Sequence, residues 1–132
     1  MFFSSFLCCS RYQKARARLD GDWKYVRFEQ YLIDSVGGVS LDTVITEGLG
    51  KIFIQRSESE KDEFYYLSDV FNAPSGLVRI LKDGKRLHFS VSDYIYYIKE
   101  LKQNRMVLLL HTGTLTAPVV QERRYYFEKE KN

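Results

Sequence analysis

The chain has 132 residues, of which 45% are hydrophobic and 15% aromatic, a composition too apolar for a disordered polypeptide. Its formal net charge is +3, but the excess lies in residues 1–18, which contain Arg11, Lys14, Arg16 and Arg18 and no acidic residue. The rest of the chain has 16 basic and 17 acidic side chains. A nucleic-acid-binding domain is expected to carry a basic face of its own. We therefore expect one folded domain that does not bind nucleic acid.

The first nine residues, MFFSSFLCC, form a short apolar segment that ends in the only two cysteines of the chain. The segment is too short for a membrane-spanning helix, which needs about 20 apolar residues, and adjacent cysteines suit neither a disulfide nor a metal site. It resembles the lipobox of bacterial lipoproteins, in which a small residue precedes the lipid-modified cysteine. The resemblance implies that residues 1–9 are a signal segment, that Cys9 after Cys8 carries a lipid anchor, and that the protein lies in the bacterial cell envelope, at the periplasmic or outer-membrane face. An apolar N-terminus with two incidental cysteines is the alternative.

Residues 10–18, SRYQKARAR, show no periodic apolar face and are predicted to form a basic tether between the membrane and the domain. Their positive charge would suit an anionic headgroup surface. A turn of helix ahead of the domain is the alternative prediction for this segment, and the two are compatible.

From residue 19 to residue 132 the pattern predicts a single domain built from short strands. Aromatic and β-branched runs, separated by turn residues, occupy 23–33, 49–56, 62–71, 76–82, 85–91, 93–101, 105–112 and 122–130. Asp83-Gly84 predicts a two-residue hairpin turn, and segment 39–45 could be a turn of helix or a partly formed strand. About eight short strands joined by hairpins indicate an all-β, antiparallel barrel or sandwich.

Three stretches carry a resemblance to a family. Gly21-Asp22-Trp23 resembles the G-x-W motif that opens the first strand of lipocalins, and YYIKELKQNRMVLLL followed by RRYYFEK resembles small bacterial lipoproteins with a lipocalin-like domain. The resemblance implies a lipocalin-like barrel of about eight strands in meander order. It also implies that Trp23 closes one end of the barrel, that Gly21 lets the chain pass beneath it, and that Arg123 or Arg124 packs over the indole ring.

The sequence offers little that points to catalysis, and we expect neither an enzyme nor a bound cofactor or metal. His88 and His111 are the only histidines, and each lies in a predicted strand without a nearby cysteine or paired carboxylates. Nucleophile, zinc-binding and phosphate-binding loop motifs are missing from the chain. A run of acidic residues is predicted to be a solvated loop, with calcium binding as the alternative: Glu58, Glu60, Asp62 and Glu63.

Two functions fit this pattern. The first is a lipid-anchored barrel that holds a small apolar or amphipathic molecule, because eight-stranded barrels can enclose one small ligand. Its predicted lining, which could equally be ordinary core packing, is Tyr25, Phe53, Tyr66, Phe89, Tyr96 and Leu109. The second is an envelope interaction module with a filled core that docks a protein partner. A barrel that binds an oligomer, of the OB type, suits the neutral domain less well.

Overall fold

Nine strands and one helix follow each other along the chain in the computed structural model, which describes residues 12–59, 63–68, 75–90, 94–112 and 120–130. The helix, α1, covers residues 12–19. The strands are β1 (Gly21–Ile33), β2 (Val39–Ile45), β3 (Lys51–Arg56), β4 (Glu63–Ser68), β5 (Ser75–Ile80), β6 (Arg86–Phe89), β7 (Tyr94–Leu101), β8 (Arg105–Thr112) and β9 (Val120–Lys129).

The strands form one antiparallel sheet that closes on itself. From β3 to β9 each strand pairs with the next in the sequence, and β1 pairs with both β3 and β9. These eight strands make the barrel, and β2 is an additional strand outside it. The prediction of an all-β antiparallel barrel in meander order is confirmed. The geometry is compatible with a lipocalin-like fold.

The two halves of β1 have different neighbours on one side. Gly21–Lys24 pair with β3, whereas residues 28–33 pair with β2, and β9 runs along the other side of both halves. The second half of β1 and all of β2 therefore leave the barrel together as a hairpin. We call residues 28–45 the β1–β2 arm. Segment 39–45, for which the sequence left two alternatives, is a strand.

A β-bulge in β1 explains why neither alternating face of this strand is apolar in the sequence. The pairing with β9 shifts register between Tyr25 and Arg27. Because a bulge adds one residue to one strand, the side chains beyond it change faces. Trp23 and Tyr25 face the interior before the bulge, and Phe28 packs against the core after it.

Large side chains fill the barrel. Successive residues of a strand point to opposite faces of the sheet, and β3, β4, β5 and β6 each bury alternate residues. The bulkiest of the fully buried side chains are Trp23, Phe64, Tyr66, Phe89 and Phe127. The interior is thus a packed core.

Helix α1 lies across the end of the barrel at which β1 begins. Tyr12, Ala15 and Leu19 share one helical face at i, i+3 and i+7, and Ala15 and Leu19 are buried while Tyr12 packs against the core. Three side chains from the barrel donate to carbonyls of the last helical turn, which have no partners within the helix. These bonds are Arg56 to Arg16 O, Lys129 to Arg18 O and Trp23 to Leu19 O.

The predicted tether thus forms a docked helix over most of its length. The predicted signal segment, residues 1–9 with Cys8 and Cys9, lies outside the described residues. No helix within the described ranges is long and apolar enough to span a membrane.

Candidate functional site

Trp23 lies at the barrel end covered by α1, which we call the plugged end. Its side chain is fully buried, and its indole N–H donates to the carbonyl of Leu19 at 2.8 Å. The Nζ of Lys129 lies 4.8 Å from the ring centroid. The expectation that Arg123 or Arg124 packs over Trp23 is therefore wrong, since the cation comes from Lys129.

The strand register explains that correction. Trp23 lies opposite Lys129 in the β1–β9 ladder, whereas Arg123 lies opposite Gln30 in the β1–β2 arm. Arg124 is placed over the Tyr31 ring, 4.5 Å from its centroid. Both arginines are thus too far along β9 to reach the indole.

Gly21 permits the approach of Lys129 to Trp23. Its φ is +134°, a conformation that residues with a Cβ rarely adopt, and an added Cβ would lie 3.0 Å from Lys129 Cε. The glycine that the sequence places before Trp23 thus leaves room for the side chain that covers the indole.

Four of the six predicted ligand-lining residues lie inside the barrel. Tyr25, Tyr66, Phe89 and Tyr96 are all buried. Tyr66 and Phe89 meet edge to face with centroids 5.1 Å apart, and Phe89 meets Tyr96 at the same distance. These rings fill the interior by packing against each other.

The other two predicted lining residues do not face the interior. Phe53 is 39% exposed between the buried residues Ile52 and Ile54, and it lines an outer hollow of about 400 Å³ with Leu67. Leu109 alternates with the buried Leu108 and Leu110 and therefore lies on the outer face. The prediction that these two residues line the interior was wrong, because each alternates along its strand with the core residues and so points to the opposite face of the sheet.

A group of tyrosine hydroxyls and one arginine lies where the β1–β2 arm leaves the barrel. Tyr125 is hydrogen-bonded to Tyr96 and to the Arg123 guanidinium, and Tyr25 lies close to both tyrosines. Burial raises the pKa of Tyr25 and of Tyr96 far above that of an exposed tyrosine, and it also raises the pKa of Tyr125. The three phenols are therefore neutral, and Arg123 supplies positive charge. We call these four residues the Tyr–Arg cluster.

Polar contacts continue from the Tyr–Arg cluster to the edge strand. The Nε of Arg123 donates to Gln30 Oε1 at 3.1 Å, and Gln30 Nε2 donates to Asp42 Oδ2 at 2.9 Å. A chain of hydrogen bonds therefore links β9, β1 and β2 on the face that continues the barrel interior.

The outer face of the same strands holds a buried carboxylate. Glu29 is 7% exposed and accepts hydrogen bonds from Arg27 Nε, the Tyr31 hydroxyl and the Tyr126 hydroxyl, at 2.8, 3.1 and 2.6 Å. Burial alone would raise the pKa of Glu29, but the bonds from Tyr126, Arg27 and Tyr31 outweigh it, so the pKa lies below the usual range. This carboxylate thus links Arg27 and Tyr31 of β1 to Tyr126 of β9.

A second carboxylate on this face, Glu122, accepts from Arg124 Nε at 2.7 Å and lies 3.0 Å from His111 Nε2. Burial opposes its ionisation, but the contacts with His111 and Arg124 lower the pKa of Glu122 overall.

His88 lies on β6. Among the described residues, no group of three or more His, Cys, Asp or Glu could hold a metal ion. Glu60 and Asp62 of the acidic run lie outside the described residues.

The β1–β2 arm exposes most of its apolar residues. Along β2 and the preceding turn, the exposed fractions are 90% for Val36, 61% for Val39, 53% for Leu41, 40% for Val44 and 42% for Ile45. Among the described strands β2 pairs only with β1, so its second backbone edge is unpaired there. Asp42 is its only charged residue.

Sequence reasoning did not find Glu29, Lys129 or the exposed apolar arm. No local spacing signals the role of Glu29, because Glu29 meets Tyr126 only through the β1–β9 register. The alternation of Val39 and Leu41 with polar neighbours in 39–45 was the available signal for the arm.

No family model matches the chain, and no protein with a curated description matches it either. The closed antiparallel barrel is compatible with a lipocalin-like fold.

Proposed function

We propose that the protein is a membrane-tethered interaction module of the bacterial envelope, which binds an extended strand of a partner protein along the free edge of β2. The observation that carries this proposal is that β2 pairs with β1 alone among the strands the structure describes, while its apolar side chains are exposed. The role is one of binding, without catalysis and without a cofactor.

An uncovered apolar edge strand can pair with another chain and cause aggregation. Edge strands present unpaired N–H and C=O groups, and proteins usually protect them with charges, proline, bulges or covering segments. In β2 the register shift opposite Gln30 and Tyr31 and the single charge of Asp42 are weak protection. A partner strand that pairs with β2 would satisfy this edge and cover Leu41 and Val39.

The filled interior favours recognition at the surface. Tyr25, Tyr66, Phe89 and Tyr96 occupy the space in which a ligand of an eight-stranded barrel would lie. Another exposed apolar face, around Phe53 and Leu67, belongs to strands whose backbone edges are paired. In the arm, by contrast, exposed apolar side chains lie on a whole strand, β2, that pairs on one side alone among the described strands.

The position of the helix supports a tether. Helix α1 is fixed at the plugged end, and the β1–β2 arm leaves the barrel from the opposite end. A lipid on Cys9 would connect to the domain through the start of α1. A barrel held in this way would present its arm away from the membrane.

The Tyr–Arg cluster favours a second candidate function. Its three neutral phenols and the Arg123 guanidinium could hold the anionic end of a small amphipathic molecule at the arm end of the barrel. Native mass spectrometry of the purified chain tests this function. A bound small molecule that is lost in Arg123→Met would support it.

A photoreactive crosslinking residue placed in living cells of the source bacterium tests the main proposal. It replaces Leu41 in one variant and Leu67, which is 61% exposed on β4, in the matched control. We expect one defined envelope protein to be crosslinked from position 41 and not from position 67. The purified partner should then slow amide hydrogen exchange within residues 39–45.

Two results would contradict the proposal. A crosslink from position 41 only to a second copy of the chain would show that the arm serves self-association. Equal crosslinking from both positions would show that exposed apolar residues are captured without specificity.

A further inference from the structure

A basic groove lies at the plugged end, between the helix and the barrel wall. Its volume is about 600 Å³. We call it the α1–β7 groove, and it is lined by Lys14, Ala15 and Arg18 of α1, Gly84 and Lys85 of the β5–β6 turn, and residues 97–101 of β7. It does not overlap the β1–β2 arm or the Tyr–Arg cluster.

The charge of the groove is strongly unbalanced. Four of its lining residues are basic, and Glu100 is the only acidic one. Glu100 is already paired with Lys102 at 3.1 Å and with Arg105 at 3.5 Å, and neither of these lines the groove. Lys14, Lys85 and Lys99 form no ion pair with any residue that the structure describes. Their charges are available to an anion that enters the groove.

The walls of the groove are held together by hydrogen bonds. The guanidinium of Arg18 on α1 donates to the carbonyl of Leu101 on β7 at 3.2 Å, and the amide of Ile98 donates to the carbonyl of Lys85 at 2.7 Å. Ala15 is part of the buried core, and Ile98 and Leu101 pack against this core. The groove thus combines fixed walls, an apolar floor and a basic rim.

We infer that the α1–β7 groove binds the phosphate group of an anionic amphiphile, namely the headgroup of an anionic membrane lipid. The lysine ammonium groups would bind the phosphate oxygens, and Ile98 and Leu101 would contact the adjoining carbon atoms. Phosphate binding by the groove does not depend on the proposed partner or on Cys9. Only the lipid as its source rests on the proposed membrane tether.

The test uses the full chain produced without lipidation, with vesicles of phosphatidylcholine alone or with one-third phosphatidylglycerol. The chain should co-sediment with the anionic vesicles and not with the neutral ones, and salt should weaken this binding. Each basic residue near an anionic surface contributes about fivefold to partitioning, so Lys85→Gln/Lys99→Gln should reduce it about 30-fold. The control Lys24→Gln/Lys51→Gln removes the same charge from β1 and β3, and should reduce it by at most about threefold.

Soluble glycerol phosphate distinguishes the two sources of phosphate. If it leaves vesicle binding intact at millimolar concentration, the lipid surface is the source, whereas saturable binding of glycerol phosphate that displaces the vesicles identifies a free phosphorylated metabolite. Equal losses of vesicle binding in the two double variants would contradict phosphate binding by the groove, because they would show a diffuse charge effect. Binding to neither vesicles nor glycerol phosphate would also overturn it, whether or not a protein partner binds the arm.

Discussion

The two halves of β1 show how one strand serves two purposes. In the first half Trp23 and Tyr25 are buried among the rings of the core. In the second half, which forms the β1–β2 arm, Tyr31 and Ile33 lie opposite the exposed Leu41 and Val39. The first half stabilises the barrel, whereas the second extends beyond it and offers an edge.

Each half of β1 also contributes one aromatic ring that a cation from β9 covers. Lys129 lies 4.8 Å from the centroid of Trp23, and Arg124 lies 4.5 Å from that of Tyr31. Trp23 is completely buried, while Tyr31 is partly exposed. Since water weakens a cation–π contact, similar distances do not imply similar energies. Burial decides what each contact contributes.

The largest effect on stability is expected from truncating a side chain, Trp23, in the buried half of β1. Trp23→Ala should lower the free energy of unfolding by about 3–5 kcal/mol, because it leaves a cavity beneath α1 and removes the bond to the Leu19 carbonyl. Urea unfolding followed by circular dichroism measures this loss. Val36→Ala in the 90% exposed turn of the arm is the control and should change stability by less than about 0.5 kcal/mol. A loss below about 1 kcal/mol in Trp23→Ala would show that packing at the plugged end contributes little to the stability of the fold.

A smaller, pH-dependent effect is expected where the two halves meet. Glu29→Gln should cost about 1–3 kcal/mol at neutral pH, because three donors lose their charged acceptor. The folded-state pKa of Glu29 is depressed, so its contribution is present above the unfolded value of about 4.3 and is lost as the pH falls through the folded value. The stability difference between wild type and variant should therefore shrink in acid.

Urea unfolding at a series of pH values from neutral to acidic checks this expectation. Glu47→Gln is the control, since Glu47 is exposed and has no ion pair among the described residues. A difference between wild type and Glu29→Gln that stays constant across the series would show that the carboxylate charge is not what holds the arm to the barrel.

The comparison of halves also shows how far the sequence determines this fold. Alternation and turn residues were sufficient for the barrel, and Asp83-Gly84 lies in the turn between β5 and β6, with Gly84 at φ +68°. The turn is wider than the predicted two-residue one, because the closing bond joins Leu81 N–H to the Arg86 carbonyl. The bulge between Tyr25 and Arg27 could not be predicted, because no residue type marks it while it moves every later side chain to the other face. The same dependence on register explains why Lys129, and neither Arg123 nor Arg124, covers Trp23.

The candidate sites depend on contacts that are still further apart in the chain. The apolar face of helix α1, formed by Tyr12, Ala15 and Leu19, was not recognised in the sequence, because a face this short is informative only when its partner surface is known. The α1–β7 groove joins Lys14 to Lys85 and Lys99; the latter two meet beside the β6–β7 hairpin, whereas Lys14 reaches them only through docking of α1 on the barrel. Local patterns therefore predicted elements, whereas strand register and helix docking created the sites.

The smallest effect separates the two cation–π contacts. Lys129→Met should cost about 0.5–1 kcal/mol and shift the fluorescence of Trp23, because it removes the charge over the indole and the bond to the Arg18 carbonyl. Arg124→Met is the matched variant in the arm half and should leave the fluorescence of the only tryptophan unchanged, since its guanidinium lies over Tyr31. Emission spectra of both variants, recorded with urea unfolding curves, distinguish them. A spectral shift in Arg124→Met without one in Lys129→Met would mean that the β1–β9 register differs from the one described, because only a displaced ladder brings Arg124 near the indole.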